Sequence, residues 1–391
     1  MKIEKPIEKK DLIMRIAIGV LAFLILFGVY FWANRGKVGY ESTVDSGVEY
    51  ERALVLEVCS DEIMPNPEFE NVTVGKQILE LEILTGRYRG DQVVITNTLS
   101  PFKNYSIVAE EGAELSVRIT TTGNNEYSVR VYNYSRSSNL WLFVALFALA
   151  LLLVGGRQGI AAIFGLALMI LGVLFVLLPL LVQKGWAPIP TTLLTVSFTM
   201  FVSYVFIGGI RTKAMTAALG AFGGVLLAGL FAFLAGKVVH ISGMNMDEAE
   251  ALFLTATDHG LTVRDLFICG ILISAEGAIM DIAMSVASAV EEVHRIDPDR
   301  KMKELFKSGM RIGRDAMGTM ANTLVLAFAG TGLNMMIFIY AYDVSYTQLI
   351  NTDFVAMELI RALAGSLGMI LTVPVVALVA AAVFSRKQEQ A

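Results

Sequence analysis

About eight stretches of this chain are long and apolar enough to cross a lipid bilayer, and nothing else constrains its fold as strongly. A hydrocarbon layer about 30 Å thick takes roughly 20 residues of helix. Residues 12–32, 140–154, 159–182, 188–210, 214–238, 266–290, 316–340 and 354–384 qualify, the second short and the last long. No water reaches that layer, so each stretch must satisfy its own backbone as a helix. The expected architecture is a polytopic α-helical membrane protein with about eight transmembrane helices. A mean hydropathy of +0.62 with 17% charged residues agrees, and the basic run from Arg300 to Arg314 reads as an amphipathic connector meeting anionic lipid, not a nucleic-acid patch.

Basic residues set the expected orientation. Lys2, Lys5, Lys9, Lys10 and Arg15 precede or open the first helix, and Arg157, Arg211 and Lys213 lie in short turns. Arg295, Arg300, Lys301, Lys303, Lys307, Arg311 and Arg314 separate the sixth and seventh helices, and Arg386 and Lys387 follow the eighth. With eight crossings all fall on one side, the cytoplasmic side of a bacterial cytoplasmic membrane, with both termini there. Trp32, Trp141 and Trp186 then sit at the outer interface, as an aromatic belt would place them. The first segment reads as a retained anchor, because its apolar run is too long for a signal peptide and Trp32-Ala-Asn-Arg is a poor cleavage site. The expected division is residues 1–34 (tail and first helix), 35–138 (outer domain) and 139–391 (seven helices, with a cytoplasmic connector at 291–315 and a short tail). Cys59 falls outside and Cys269 inside a membrane helix, so no disulfide is expected.

Residues 35–138 lose the helical period. Short alternating runs replace it at 52–59, 77–84, 92–97, 105–109, 114–120 and 126–132, with Gly86, Gly90, Gly112 and Gly123 in the turns. Five or six short strands between the first and second helices suggest a small extracytoplasmic β-barrel, OB-like in kind. Tyr88, Tyr105, Tyr127, Tyr132 and Tyr134 could form a binding face or simply pack the sheet. The run holds no histidine and no catalytic arrangement.

The sixth helix carries the chemistry. Glu276 and Asp281 lie inside an apolar run, where a charged side chain costs about 2.5–3.5 kcal/mol even on insertion scales. Gly270, Ser274, Gly277, Asp281, Ser285, Ser288 and Glu292 recur at helical steps and share one small, polar face. That face is expected to look into the bundle or a hydrated cavity. Glu276, five residues before Asp281, points roughly 140° away, so the two acids are not a paired acid–base site. The seventh helix carries Arg311, Asp315, Gly318, Thr319 and Asn322, and the eighth Glu358, Arg361, Gly365, Gly368 and Thr372.

At about 1.5 Å per residue, Asp281 lies roughly 13 Å from the inner end of its helix and Asn322 about 9 Å from the inner end of the next, so the two could meet. By the same arithmetic Arg361 and Glu276 lie about 10 and 15 Å below the outer surface, which allows a pair. Glu358, one turn from Arg361, is the rival partner and the basis for a structural ion pair. Thr319, Asn322, Ser274 and Ser285 also have an ordinary reading as interhelical hydrogen-bond partners. The Gly220–Gly224 spacing signals close helix packing. Gly155-Gly156-Arg157 and Gly208-Gly209-Ile210-Arg211 are expected turns between successive helices, and the two hairpins resemble one another. The loop from His240 to His259 mixes histidines, methionines and acids without metal-site spacing, and reads more simply as a short helix capped by Asn245.

The segment from Glu276-Gly-Ala-Ile-Met-Asp281 through Gly313-Arg-Asp-Ala-Met-Gly-Thr-Met-Ala-Asn-Thr323 resembles the YibE/F family of bacterial membrane proteins. The anchor, outer β-domain and seven further helices fit the same family, which brings little biochemistry with it. Over roughly 60 residues, Gly277–Asp281 followed by a connector and Gly309–Thr323 is also similar to RND and SecD/SecF-type transporters. That similarity implies a proton-coupling role for Asp281. It departs from the pattern at Ile282, where RND exporters carry a second Asp, and in lacking a second large outer domain.

The functional expectation is a membrane transporter or exporter of an unknown small molecule or ion. Its transport or proton-coupling residues would be Asp281, Glu276, Asn322, Thr319, Ser274 and Ser285, with Glu358–Arg361 structural. The alternative is a non-transporting envelope assembly or sensory protein whose β-domain binds an envelope partner. Besides the lipid bilayer, a second copy of the chain is a further candidate partner. No cofactor, metal or nucleic acid is expected, and no catalytic residue is identified: no His lies in a membrane helix and no Ser–base pair is evident.

Overall fold

The computed structural model describes residues 9–35, 48–66, 73–99, 107–122, 126–241, 261–342 and 344–386. The expected capped helix at Asn245 and most of the His240–His259 loop lie outside them. The chain divides into two compact units, Lys37–Ala150 and Met1–Gly36 with Leu151–Ala391.

The first unit is a five-stranded antiparallel sheet that curls. Its strands are β1 (Val48–Pro65), β2 (Thr73–Ile83), β3 (Gln92–Leu99), β4 (Glu114–Thr122) and β5 (Glu126–Tyr134), in the order β3-β2-β1-β4-β5. The length of β1 makes this order possible, because Val48–Leu54 pairs with β4 while Ala53–Pro65 pairs with β2. Register shifts between Val55 and Glu57 and between Val58 and Ser60 bend it. Alternate residues fill the concave side: Ala53, Val55, Leu79, Leu81, Ile83, Leu115, Val117 and Ile119 are buried. Tyr88 stacks against Tyr127 at 4.1 Å between ring centroids, and the Tyr127 hydroxyl donates to Asp91 at 2.8 Å, drawing the β2–β3 turn to β5.

Five is the lower of the two expected strand counts. Residues 107–109, the described part of the 105–109 run, form no strand, although Ile107 and Ala109 are buried as the alternation implied. Two side chains stand in for a neighbouring strand. Gln77 donates to the Ala109 carbonyl (3.0 Å) and accepts from its N–H (2.9 Å), and Asn97 donates to the Ile107 carbonyl (2.7 Å).

The second unit is helical. Its elements are α1 (Lys9–Asn34), α2 (Ser137–Gly172, its first turns belonging to the other unit), α3 (Leu178–Lys184, entered through a π turn), α4 (Pro188–Gly208) and α5 (Thr212–Val238). After them come α6 (Val263–Ile296), α7 (Met302–Thr331), α8 (Leu333–Ala341), α9 (Tyr346–Ile350) and α10 (Asp353–Arg386). Six helical stretches are long and apolar enough to cross a membrane, or seven if α7 and α8, bent by 59°, form one broken span.

Two expected spans, 140–154 and 159–182, lie in one 48-residue stretch, Ser137–Lys184. Gly156 breaks it with φ 51° and ψ −123°. A Cβ on Gly159 would lie 1.9 Å from the Leu151 carbonyl oxygen. Eight residues of straight helix would hold those positions about 12 Å apart, so the chain doubles back at Gly156. The other departure is at 316–340, expected as one helix, where the helix stops at Thr331 and restarts at Leu333.

α4, α5, α6 and α10 enclose the core, whose buried members include Val196, Met200, Tyr204, Ala221, Ala228, Ile271, Leu272, Ala275 and Ile279. Glycine sets the closeness of α5 and α10. A Cβ on Gly224 would lie 1.8 Å from Thr372 Oγ1, and one on Gly368 2.4 Å from the Ala228 methyl. α1 packs Ala22 and Leu26 against Leu168, Leu180 and Val202.

Candidate functional site: the acidic helix and its hydroxyl ladder

Thr262 caps α6, accepting from the Asp265 N–H at 3.2 Å, and the helix runs unbroken past both acids. The straight-helix arithmetic therefore holds along it. Glu276 is 3% exposed, turned into the core beside Ala275 and Ile279, while Asp281 is exposed on another side. The acid that meets the apolar core is thus Glu276, whereas the stripe residues Ser274, Asp281 and Ser285 are exposed. Among the described residues no helix covers them.

Glu276 Oε1 accepts from the Thr199 hydroxyl at 3.1 Å. Its Oε2 is enclosed and has no hydrogen-bond partner among the described residues. Among the same residues no ion pair reaches it. Arg361 instead donates to Glu358 Oε1, three residues away, and sets its guanidinium over the Phe267 ring, 5.5 Å from the centroid. Asp281 has no hydrogen bond or ion pair among the described residues, and none joins it to Asn322. Asn322 and Thr319 are exposed on α7, with Thr319 bonded to the Ala316 carbonyl at 3.0 Å; Ser274 bonds the Ile271 carbonyl at 3.0 Å.

Sequence reasoning missed the partner helix. On α4, Thr191, Thr195, Thr199 and Ser203 recur every fourth residue and stack on one buried face. Each hydroxyl donates to the carbonyl four residues back, at 2.7, 2.9, 3.0 and 2.8 Å. Thr199 has one proton and three acceptors in reach: Glu276 Oε1 and the carbonyls of Thr195 and Val196, the last two both at 3.0 Å. The rung beside Glu276 can therefore donate to the carboxyl or turn to the backbone and accept from it. Tyr204, fully buried on the same helix, donates to the Met280 carbonyl at 3.0 Å, one residue before Asp281. The step of four from Thr191 to Ser203 was the available signal.

In the sheet unit the tyrosines do not converge on one face. Tyr132 stacks edgewise on Tyr50 at 4.8 Å, Tyr134 donates to the Val108 carbonyl, Tyr88 and Tyr127 pair, and Tyr105 lies outside the described residues. Partial burial and the bond to the Asp91 carboxylate push the Tyr127 phenol up to about 12.

Six or seven apolar helical stretches of membrane length, together with a curled five-stranded antiparallel β-unit, are compatible with one class: helical membrane proteins with a small β-domain. The chain belongs to the YibE/F family, for the family model of YibE/F-like proteins matches residues 143–386 and that of the YibE/F family N-terminal domain matches residues 50–134. No curated protein and no solved structure matches it. The similarity to RND-type transporters gains no support from either family model.

Proposed function

We propose that this protein is a transporter or exporter of a small molecule or ion, coupled through the carboxyls of α6. One observation carries the reading: the apolar run of α6, residues 266–290, holds two acids, Glu276 and Asp281, and neither has a basic partner among the described residues. An ionisable residue at membrane depth marks an ion or proton pathway unless a partner neutralises it. Glu276 is the group whose charge the core cannot hold. Asp281, with Ser274 and Ser285, and Thr319 and Asn322 on α7, are the groups that meet water or a partner. Binding or losing a proton changes the cost of keeping Glu276 between α4 and α6. The Thr199 hydroxyl, able to serve either state, suits it to both.

The same reading counts eight crossings: Ser137–Lys184 folded at Gly156 as two, the bent α7–α8 pair as one, and five single helices. It sets the protein in a bacterial cytoplasmic membrane with both termini cytoplasmic and the β-unit outside, supported by the one-sided distribution of Lys and Arg. The strand order β3-β2-β1-β4-β5, with the tyrosine contacts linking its ends, supports an OB-like closure.

The test is flux in membrane vesicles under an imposed proton gradient, across a panel of ions and metabolites. Wild-type vesicles should move at least one species that vector vesicles do not. Asp281→Asn and Glu276→Gln should abolish that flux with expression unchanged. Normal flux in both variants sinks the reading, as does a wild type indistinguishable from vector. If both variants support growth-linked function that deletion of residues 36–138 abolishes, the protein is an assembly or sensory protein acting through its β-domain.

A further inference from the structure

The break between α7 and α8 opens on a cavity of about 790 Å³, closed on its other side by the start of α10. Phe328, Gly332 and Met336 line one wall, and Phe354, Leu359 and Ala362 the other. Small-molecule sites fall at about 300–1,000 Å³, so this one takes a molecule of drug-like size. Two observations set it apart from a gap between helices. Gly332, where the span bends by 59°, faces the cavity, and helices interrupted at membrane depth are tolerated where they are buried or line a cavity. The lining also contains one carboxylate, Glu358, besides the phenol of Tyr340. Its Oε1 takes a hydrogen bond from Arg361, while its Oε2 is enclosed without a donor among the described residues.

The charges decide what kind of molecule fits. Glu358 and Arg361 sum to zero. A cationic ligand would leave a net positive charge in apolar surroundings, and an anionic one would meet Glu358. What Glu358 Oε2 lacks is a donor rather than a charge, and an unmet buried acceptor is costly. We propose that this cavity binds a neutral, largely apolar molecule whose one polar end is a hydroxyl donating to Glu358. In the transporter reading that molecule is the cargo, so the role rests on that reading and the binding does not.

Photolabelling of the full chain in lipid nanodiscs tests it. Three diazirine probes share one alkyl chain and end in a hydroxyl, a methyl or a trimethylammonium group. The hydroxyl probe should label peptides covering 325–336 and 354–362 about tenfold more than the methyl probe, the ratio one buried hydrogen bond gives. Ala329→Trp, which puts a bulky ring into the cavity, should sharply reduce that labelling. The double variant Glu358→Met/Arg361→Met removes the pair together, leaves no orphaned charge, and should bring the hydroxyl probe down to the methyl level. Equal labelling by hydroxyl and methyl probes makes the cavity a lipid-filled gap and overturns the proposal; so does a preference for the ammonium probe. Labelling needs no flux, so Asp281→Asn separates the two ideas: lost flux with retained labelling upholds both, and normal flux with retained labelling leaves the cavity standing without the coupling.

Discussion

Glu276 should make this protein less stable than it could be, and removing it should show as a gain. The replacement is Glu276→Met, unbranched and of similar reach, so the packing beside Ala275 and Ile279 is kept. Three contributions set the magnitude. The enclosed Oε2 has no donor, and an unsatisfied buried polar atom costs about 1–3 kcal/mol. The Thr199 bond is lost, but Thr199 has two backbone carbonyls at 3.0 Å, so its proton is not stranded. The thioether adds apolar contact in a core where the carboxyl added none. The net is a gain of about 1–3 kcal/mol, which for a helical unit of this size raises the midpoint of thermal unfolding by roughly 2–5 °C. Cys269, buried on α6, supplies the assay: in a Cys59→Ser background, a thiol-reactive fluorophore reports when the helix bundle opens. The more stable variant should also be inactive in flux, as at sites where function is kept at the expense of stability. A midpoint that falls by several degrees would refute the reasoning, because the carboxyl would then be holding the bundle together.

Two further outcomes concern the β-unit. Gln77→Ala strips both the N–H and the carbonyl of Ala109 of their buried partners, so it should destabilise the unit by about 2–5 kcal/mol, read as loss of near-ultraviolet dichroism at a lower denaturant concentration. Tyr127 has its pKa raised in the fold, so its contribution is present in full below the unfolded value near 10.0 and is lost as pH rises towards about 12. Difference absorbance should show that phenol ionising about two units later than free tyrosine, and Asp91→Asn should bring it earlier.

The apolar runs were legible because the bilayer demands them, and the turn at Gly155-Gly156 was visible as glycine. The 140° between Glu276 and Asp281 followed from helix geometry, and it explains why one is buried and the other exposed. Which one is buried was not legible, because that depends on α4. Its hydroxyls at Thr191, Thr195, Thr199 and Ser203 are scattered among apolar residues and carry no charge to draw notice. The rival pairing of Arg361 with Glu358 follows the short i,i+3 path on one helix, whereas Glu276 would have required reach across helices. In the sheet, alternation located Ile107 and Ala109 in the core but could not show that Gln77 and Asn97 would satisfy their backbone. The length of β1 was hidden by its acids, since Glu49, Glu51, Glu57, Asp61 and Glu62 interrupt its apolar pattern. The break at Gly332 had a trace in Gly330-Thr331-Gly332, which glycine alone does not distinguish from packing.

The proposed coupling requires that the protonation state of the α6 acids change how that helix meets its surroundings. Labelling of Ser274→Cys by a membrane-impermeant thiol reagent tests it most directly, because Ser274 lies on the exposed face of α6 and the exposed Cys59 gives an internal reference. Glu276→Gln and Asp281→Asn mimic the protonated acids. Each should change the ratio of Ser274→Cys to Cys59 labelling severalfold from its value with both acids present. An unchanged ratio in both would contradict it.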